Sequence, residues 1–234
     1  MKFEKTEVMD FENAIRGMRN AWESWDKSDS RWETKVVHCY GMFGYPEERT
    51  EFVIGEKDLE LMQKLIKAGS EHRKFMRQIF VSVDITAPIY WWKEFDTYKV
   101  GTVANSTGTM HTLARTPITM DCFEMDDFED LWIENEIGAY HLKDKWEETI
   151  YDLEILRKLY NETKDKRYWK ELIRLLPESW LQTRTITMNY ENLLTMVHQR
   201  KGHKLTEWSK SFIDWVRTLP YAQDLLFADE YYAQ

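Results

Sequence analysis

The stretch Lys99-Val-Gly-Thr-Val-Ala-Asn-Ser-Thr-Gly-Thr-Met-His111 carries hydroxyls at Thr102, Ser106, Thr107 and Thr109, an amide at Asn105, and no acidic or basic group between Lys99 and His111. Two roles suit such a segment. It is either a connector whose Asn, Ser and Thr side chains satisfy their own backbone, or a polar cradle whose N–H groups and hydroxyls accept a phosphate or sugar. The second role needs cations, and Lys99, Arg115, Arg184 or Arg200 would supply them. Arg184 falls in an extended stretch, where it makes either a cross-strand ion pair or a bidentate grip on a phosphate or a planar ring carbonyl. Arg200 closes a helical stretch, where its charge complements the helix dipole, with the same recognition chemistry as its alternative. Tyr90, Trp91 and Trp92 form either a core face or a stacking wall for a flat ring. His72 is either a surface histidine or a base.

Other chemistries lack their residue patterns. No G-x-G-x-x-G or G-x-x-x-x-G-K-[ST] occurs, which argues against dinucleotide-fold and P-loop sites. H-E-x-x-H, C-x-x-C and G-x-S-x-G are missing too. His198 and His203 are five apart, out of register for a helical metal pair. Cys39 and Cys122 are distant and read as two free thiols in a reducing compartment.

The 234 residues carry 41 acidic and 32 basic side chains, a formal charge of −9 with the basic groups dispersed, so a nucleic-acid polymer is not the expected partner. No apolar run reaches membrane-spanning length and the first residues lack a signal core, so a cytoplasmic protein with no membrane contact is expected. With 43% hydrophobic residues, 9 Gly and 5 Pro, the chain has the composition of a packed globular protein. Its 11 Trp suit an α-rich core, a stacking site or a subunit interface.

The elements that must position these residues follow from period and punctuation. Phe11, Ile15, Met18, Trp22 and Trp25 predict an amphipathic helix over 10–25. Residues 33–41, closed by Gly41, predict a strand. Leu59, Met62, Leu65 and Ile66 share a helix face that Gly69 terminates, and Ser70 would cap a short helix after it. Residues 79–86 alternate as a half-buried strand, and Ala87-Pro88 opens a helix running to Gly101. Residues 126–176 predict two or three helices broken at Gly138 and near Asn161–Lys166. Residues 180–188 predict a second main strand, Asn189 a helix cap, and Thr206 the cap of a last helix. The fold class is α+β, a small antiparallel or mixed sheet packed with many helices, in a single domain over 1–234.

Two segments in order resemble the flavin-dependent thymidylate synthases, the ThyX family. In "IFVSVDITAPIYWWKEFDTYKVGTVANSTGTM" a strand runs into an Ala-Pro-Ile-aromatic helix start, which brings the family signature R-H-R-x-x-S-x-N-E-x-S-x-R-Y onto Thr97–Met110 without a gap. "LPESWLQTRTITMNYENLLTMVHQR" is similar to the family's Leu-Pro, strand, Asn-capped helix and terminal Arg. Arg-His-Arg becomes Thr97-Tyr98-Lys99, the first Ser becomes Thr102, Glu becomes Asn105, the second Ser becomes Thr107, and the final Arg-Tyr becomes Thr109-Met110. Each lost arginine removes a charge-assisted contact worth ~1.5–3 kcal/mol.

The resemblance implies a ThyX-like fold, a homotetramer, and one-carbon transfer to C5 of a pyrimidine deoxynucleotide such as dUMP. Methylenetetrahydrofolate would give the methylene and reduced FAD the hydride, with NADPH as reductant, so no protein nucleophile is needed. It assigns Tyr98, Lys99 and Asn189 to the cofactor. It assigns Asn105, Ser106, Thr107, Thr109, Arg184 and Arg200 to the nucleotide, with Arg200 also the catalytic group that reads the pyrimidine ring. Arg184 lies one residue from the position of a family Arg on the nucleotide. The alternatives are an enzyme making another C5-modified pyrimidine nucleotide, and a nucleotide-binding protein without the chemistry.

Overall fold

The computed structural model describes residues 1–38 and 46–228. Strand β1 (Lys2–Met9) leads into helix α1 (Phe11–Arg19), strands β2 (Arg31–His38) and β3 (Pro46–Val53), and helix α2 (Glu56–Lys67). Strand β4 (Phe80–Pro88), helix α3 (Ile89–Phe95), strand β5 (Val103–Ser106) and helix α4 (Thr109–Thr112) follow. Strands β6 (Trp132–Asn135) and β7 (Gly138–His141) precede helices α5 (Leu142–Thr163) and α6 (Lys166–Leu175). Strand β8 (Leu181–Asn189), helix α7 (Tyr190–Arg200), a π-helical turn (Glu207–Phe212), α8 (Ile213–Arg217) and α9 (Ala222–Leu225) complete the order. β1, β4, β8 and β5 lie in that order in one sheet, and β2–β3 and β6–β7 are antiparallel pairs. The fold class is α+β, as the residue pattern predicts.

The chain divides into two compact units. The first comprises Met1–Lys5, Val83–Lys99 and Val103–Ile186; the second comprises Thr6–Ser82, Val100–Thr102 and Thr187–Gln234.

In the first unit, Leu113, Ile118, Phe123, Leu153 and Leu172 make a buried cluster, with Trp146 and Trp180 packed against it. Arg157 Nη1 and Asn161 Nδ2 of α5 both donate to the Ala114 carbonyl, at 3.2 and 2.7 Å, and fix the chain beyond α4. The Glu154 carboxylate, paired with Arg157 at 2.6 Å and accepting the Ile118 N–H at 2.9 Å, has its pKa lowered from 4.5 to about 2. The Arg157 hydrogen bond is the largest cause. In the second unit, Ile79, Val81, Met62, Phe75, Met76, Leu193, Trp208 and Phe212 are all buried. Phe11 packs edge-on against Tyr190 at 5.6 Å, and the Tyr190 hydroxyl donates to the Pro220 carbonyl at 2.6 Å.

β4 and β8 follow their alternation: Val81, Val83 and Ile85 are buried, as are Ile186 and Met188. α2 ends where Gly69 adopts φ +106°, a left-handed turn that glycine enters without a Cβ penalty. Trp91 and Trp92 are fully buried, so they take the core role.

Several expectations need correction. α1 stops at Arg19; short 3₁₀ turns follow, Glu23 turns left-handed at φ 48°, and Trp22 is 87% exposed. Only Lys74–Gln78, a 3₁₀ turn, forms after Gly69, so Ser70 caps no helix. Pro88 stands at the N-cap of α3 in an extended conformation, and α3 ends at Phe95, short of Gly101. Residues 132–141 are a hairpin rather than helix, because Asn135 Oδ1 accepts the Ile137 and Gly138 N–H groups in a turn. Thr206 is itself helical and makes no side-chain cap. Cys39 and Gly41 lie outside the described residues.

Candidate functional site

In the first unit, one arginine organises the polar groups around β8. Strand parity puts Gln182 and Arg184 on the same face, with buried Ile186 beyond them. Thr183 and Thr185 take the opposite face, where Thr183 meets Thr86 at 2.7 Å and Thr185 donates to Asp84 at 2.6 Å. That second face is closed by Lys5, whose ammonium lies 2.9 Å from Asp84. The Thr185 hydrogen bond, then Lys5, holds the Asp84 carboxyl below the ordinary carboxylate range.

The Arg184 guanidinium carbon sits 4.3 Å from the Trp92 ring centroid. Trp92 is itself fixed, fully buried and donating Nε1 to the Gln182 carbonyl at 2.9 Å. Arg184 Nε donates to Gln182 Oε1 at 2.9 Å, and Nη1 donates to Asp96 Oδ1 at 2.7 Å. Nη2 has no hydrogen-bond partner among the described residues. The Arg184 side chain is only 15% exposed, whereas Asp96 is 52% exposed.

The hydroxyl-rich stretch is attached to this cluster. The Thr107 N–H donates to the Thr183 carbonyl at 2.9 Å, and Gln182 Nε2 donates to the Thr107 carbonyl at 2.9 Å and Thr109 Oγ1 at 3.2 Å. Asn105, Ser106 and Thr107 are exposed. Within this unit the structure therefore brings Arg184, Thr107 and Thr109 together through Gln182, a residue the sequence reading did not single out. Its signal was its place two positions before Arg184 on a predicted strand. Tyr98 packs edge-on to Phe95 with centroids 6.5 Å apart, and Lys99 is exposed with no partner among the described residues.

In the second unit, Asn189 makes the predicted cap. Its Oδ1 accepts the Asn192 N–H at 2.9 Å while the Asn192 side chain accepts the Asn189 N–H at 3.1 Å. Asn192 Nδ2 also donates to the Val100 carbonyl at 2.7 Å. Gly101 is left-handed at φ +79°, and a Cβ there would lie 2.9 Å from Asn189 Nδ2. Arg200 ends α7 and stacks over Trp208 at 4.7 Å. A cavity of about 610 Å³ in this unit is lined by Trp22, Lys27, His72, Lys74 and Gln78 among others. The cavity joins an exposed indole, two lysines and Glu71, so a planar ring carrying phosphate would find a ring face and net positive charge there. These residues come from two stretches, 22–27 and 71–78, and only His72 was read from the sequence as a candidate for chemistry.

No family model matches this chain, and no curated protein sequence does. Solved structures do. One is a crystal structure of thymidylate synthase X (ThyX) from Helicobacter pylori with FAD and dUMP. It superposes with a TM-score of 0.64 at 18% identity over 98% of both chains. A second structure of the Helicobacter pylori flavin-dependent enzyme, also complexed with FAD and dUMP, gives the same score and identity over 98% of this chain and 99% of that one. The chain has a ThyX-like fold.

Proposed function

We propose that this chain is an enzyme of the flavin-dependent thymidylate synthase type. It binds a pyrimidine deoxynucleotide such as dUMP and methylates its C5, with methylenetetrahydrofolate and FAD reduced by NADPH. In this reading residues 1–234 act as one ThyX-like domain, assembled as a homotetramer in the cytoplasm. The carrying observation is the fixed Arg184 guanidinium, whose Nη2 has no hydrogen-bond partner among the described residues.

Within the second unit, the cavity residues would suit the ring and the diphosphate of a flavin dinucleotide. In the second unit Trp22 offers a ring face and Lys27 and Lys74 offer charge for the diphosphate. Asn189 holds its cap geometry with Asn192 there. In the first unit, taken by itself, Lys99 is an exposed cation with no partner among the described residues and Tyr98 offers a ring edge. When bound, the flavin supplies the hydride that completes the methyl group. The chain's own residues bind and orient. Arg184 takes a phosphate oxygen, the exposed Asn105 and Ser106 offer an amide and a hydroxyl donor, Thr107 is tied through its N–H and its hydroxyl to the Thr183 carbonyl, and Thr109 is held by Gln182. Arg200, stacked and so restrained in direction, reads and polarises pyrimidine carbonyls.

A second reading, nucleotide binding without the chemistry, is favoured by Thr97-Tyr98-Lys99 and the uncharged Asn105–Thr107 run. A related C5 modification is the other enzymatic alternative. Purified protein with a flavin absorption spectrum, and rescue of a thymidine-requiring host, support thymidylate synthesis. Flavin without rescue points to the related modification. Colourless protein that FAD does not reconstitute, yet binds dUMP, establishes the non-catalytic reading.

A further inference from the structure

The Arg184 clamp contains its own competitor. Asp96 holds Nη1 through one oxygen only, at 2.7 Å, and stands at the C-terminal cap of the seven-residue α3. It is half-exposed, so releasing it to water loses little, whereas Arg184 is restrained by Trp92 and Gln182 and stays in place. A phosphate monoester gripped end-on uses one hydrogen from each Nη nitrogen, and Asp96 already holds one of those two nitrogens, Nη1.

We propose that Asp96 is a displaceable internal counter-ion that sets which anions the Arg184 site accepts. This rests on the reading of Arg184 as a phosphate-binding group. A dianionic phosphate monoester offers two oxygens and two charges to the guanidinium and displaces the single carboxylate contact. A carboxylate monoanion carries the same single charge as Asp96, exchanges like for like and gains nothing. Asp96 thus acts through Arg184 as a selectivity residue: it neutralises the guanidinium that Trp92 and Gln182 hold in place and raises the threshold for weakly charged ligands.

The test measures binding of inorganic phosphate, dUMP, acetate and deoxyuridine by titration calorimetry, with full-length wild-type protein and the variants Asp96→Asn, Asp96→Glu and Arg184→Gln. Melting curves first establish that each variant is folded. Asp96→Asn is expected to bind phosphate and dUMP roughly two- to tenfold more tightly, the size expected for removing a half-exposed ion pair. It should also gain detectable acetate binding and leave deoxyuridine unchanged. Asp96→Glu should restore wild-type discrimination. If Asp96→Asn binds phosphate no more tightly while Arg184→Gln loses it, the counter-ion proposal is wrong and the phosphate site stands. If Arg184→Gln binds phosphate and dUMP as the wild type does, the site reading itself fails.

Discussion

Gln182 and Arg184 are locked to each other, Oε1 accepting from Nε at 2.9 Å, and this bond determines how the rest of the site is built. Because the amide oxygen faces the guanidinium, the amide nitrogen faces the Thr107 carbonyl and the Thr109 hydroxyl. Five side chains, those of Gln182 and Arg184 on β8, Trp92 on α3, Asp96 at its C-terminal cap and Thr109, thereby share one hydrogen-bonded arrangement.

Removing the charge at the centre of this arrangement has a structural cost separate from binding. Arg184→Gln loses the stack on Trp92 and the Asp96 pair, and is expected to destabilise the fold by ~1–2 kcal/mol in urea unfolding. Arg184→Lys retains a charge but not the planar fork, so it should recover less than half of the phosphate affinity lost in Arg184→Gln.

Gln182→Leu leaves the Thr107 carbonyl and Arg184 Nε without their partner. The expected destabilisation is ~1–2 kcal/mol. Faster amide exchange is expected at residues 105–110 with little change in α5. Exchange unaltered in the stretch would show that Gln182 does not hold it.

The α7 cap gives a third test. Asn189→Ala removes one arm of a reciprocal box and is expected to cost ~1–2 kcal/mol. Gly101→Ala meets both a left-handed backbone and the Asn189 amide at 2.9 Å, so it should destabilise by at least ~1 kcal/mol. Because the two sites touch, the double variant should be less than additive, which urea unfolding of the cycle measures.

Acid sensitivity should be carried in part by Glu154. Its carboxyl titrates at about 2 in the folded chain against an ordinary 4.5, so its contribution is fully present above the ordinary value. It is lost as pH falls through the folded one. That contribution is on the order of 2–3 kcal/mol. Glu154→Gln should lower stability near neutral pH by that order and flatten the decline between pH ~5 and pH ~2. A variant with the wild-type acid profile would place the sensitive group elsewhere; Asp58 is the next to examine. Burial acts to raise Asp58, but hydrogen bonds from Ser28 and Ser30, then Arg19, outweigh it and lower its pKa.

Arg200→Ala tests ring recognition in the second unit. If Arg200 reads pyrimidine carbonyls, affinity for dUMP should fall at least ~10-fold, equivalent to ~1.4 kcal/mol, with inorganic phosphate binding unchanged. Unchanged dUMP affinity would leave Arg200 as a helix-end charge stacked on Trp208.

What was legible in the sequence was the local part of the design. β4 and β8 announce themselves by alternation, and Asn189 announces α7, because each depends only on neighbours in the chain. The position of Arg184 on a strand was legible as well, and counting from Gln182 gives its face. Its partners were not, since Trp92 and Asp96 come from α3, roughly ninety positions earlier. The β6–β7 hairpin was missed because Asn135 and Gly138 make the turn inside a run whose composition favours helix. The cavity lined by Trp22 and Lys74 was missed because α1 was expected to continue through Trp22, which would have put that indole on the helix face.

The single orientation of the Gln182 amide has a kinetic consequence. The segment carrying Thr107 and Thr109 cannot lift away without breaking both Gln182 Nε2 bonds and freeing the amide that orients Arg184 Nε, so if Arg184 binds an anion as proposed, opening of the segment and release of the anion should be coupled. Residence time at this site should then follow the opening rate of residues 107–109, and a variant that frees the amide would shorten the bound lifetime more than it slows association.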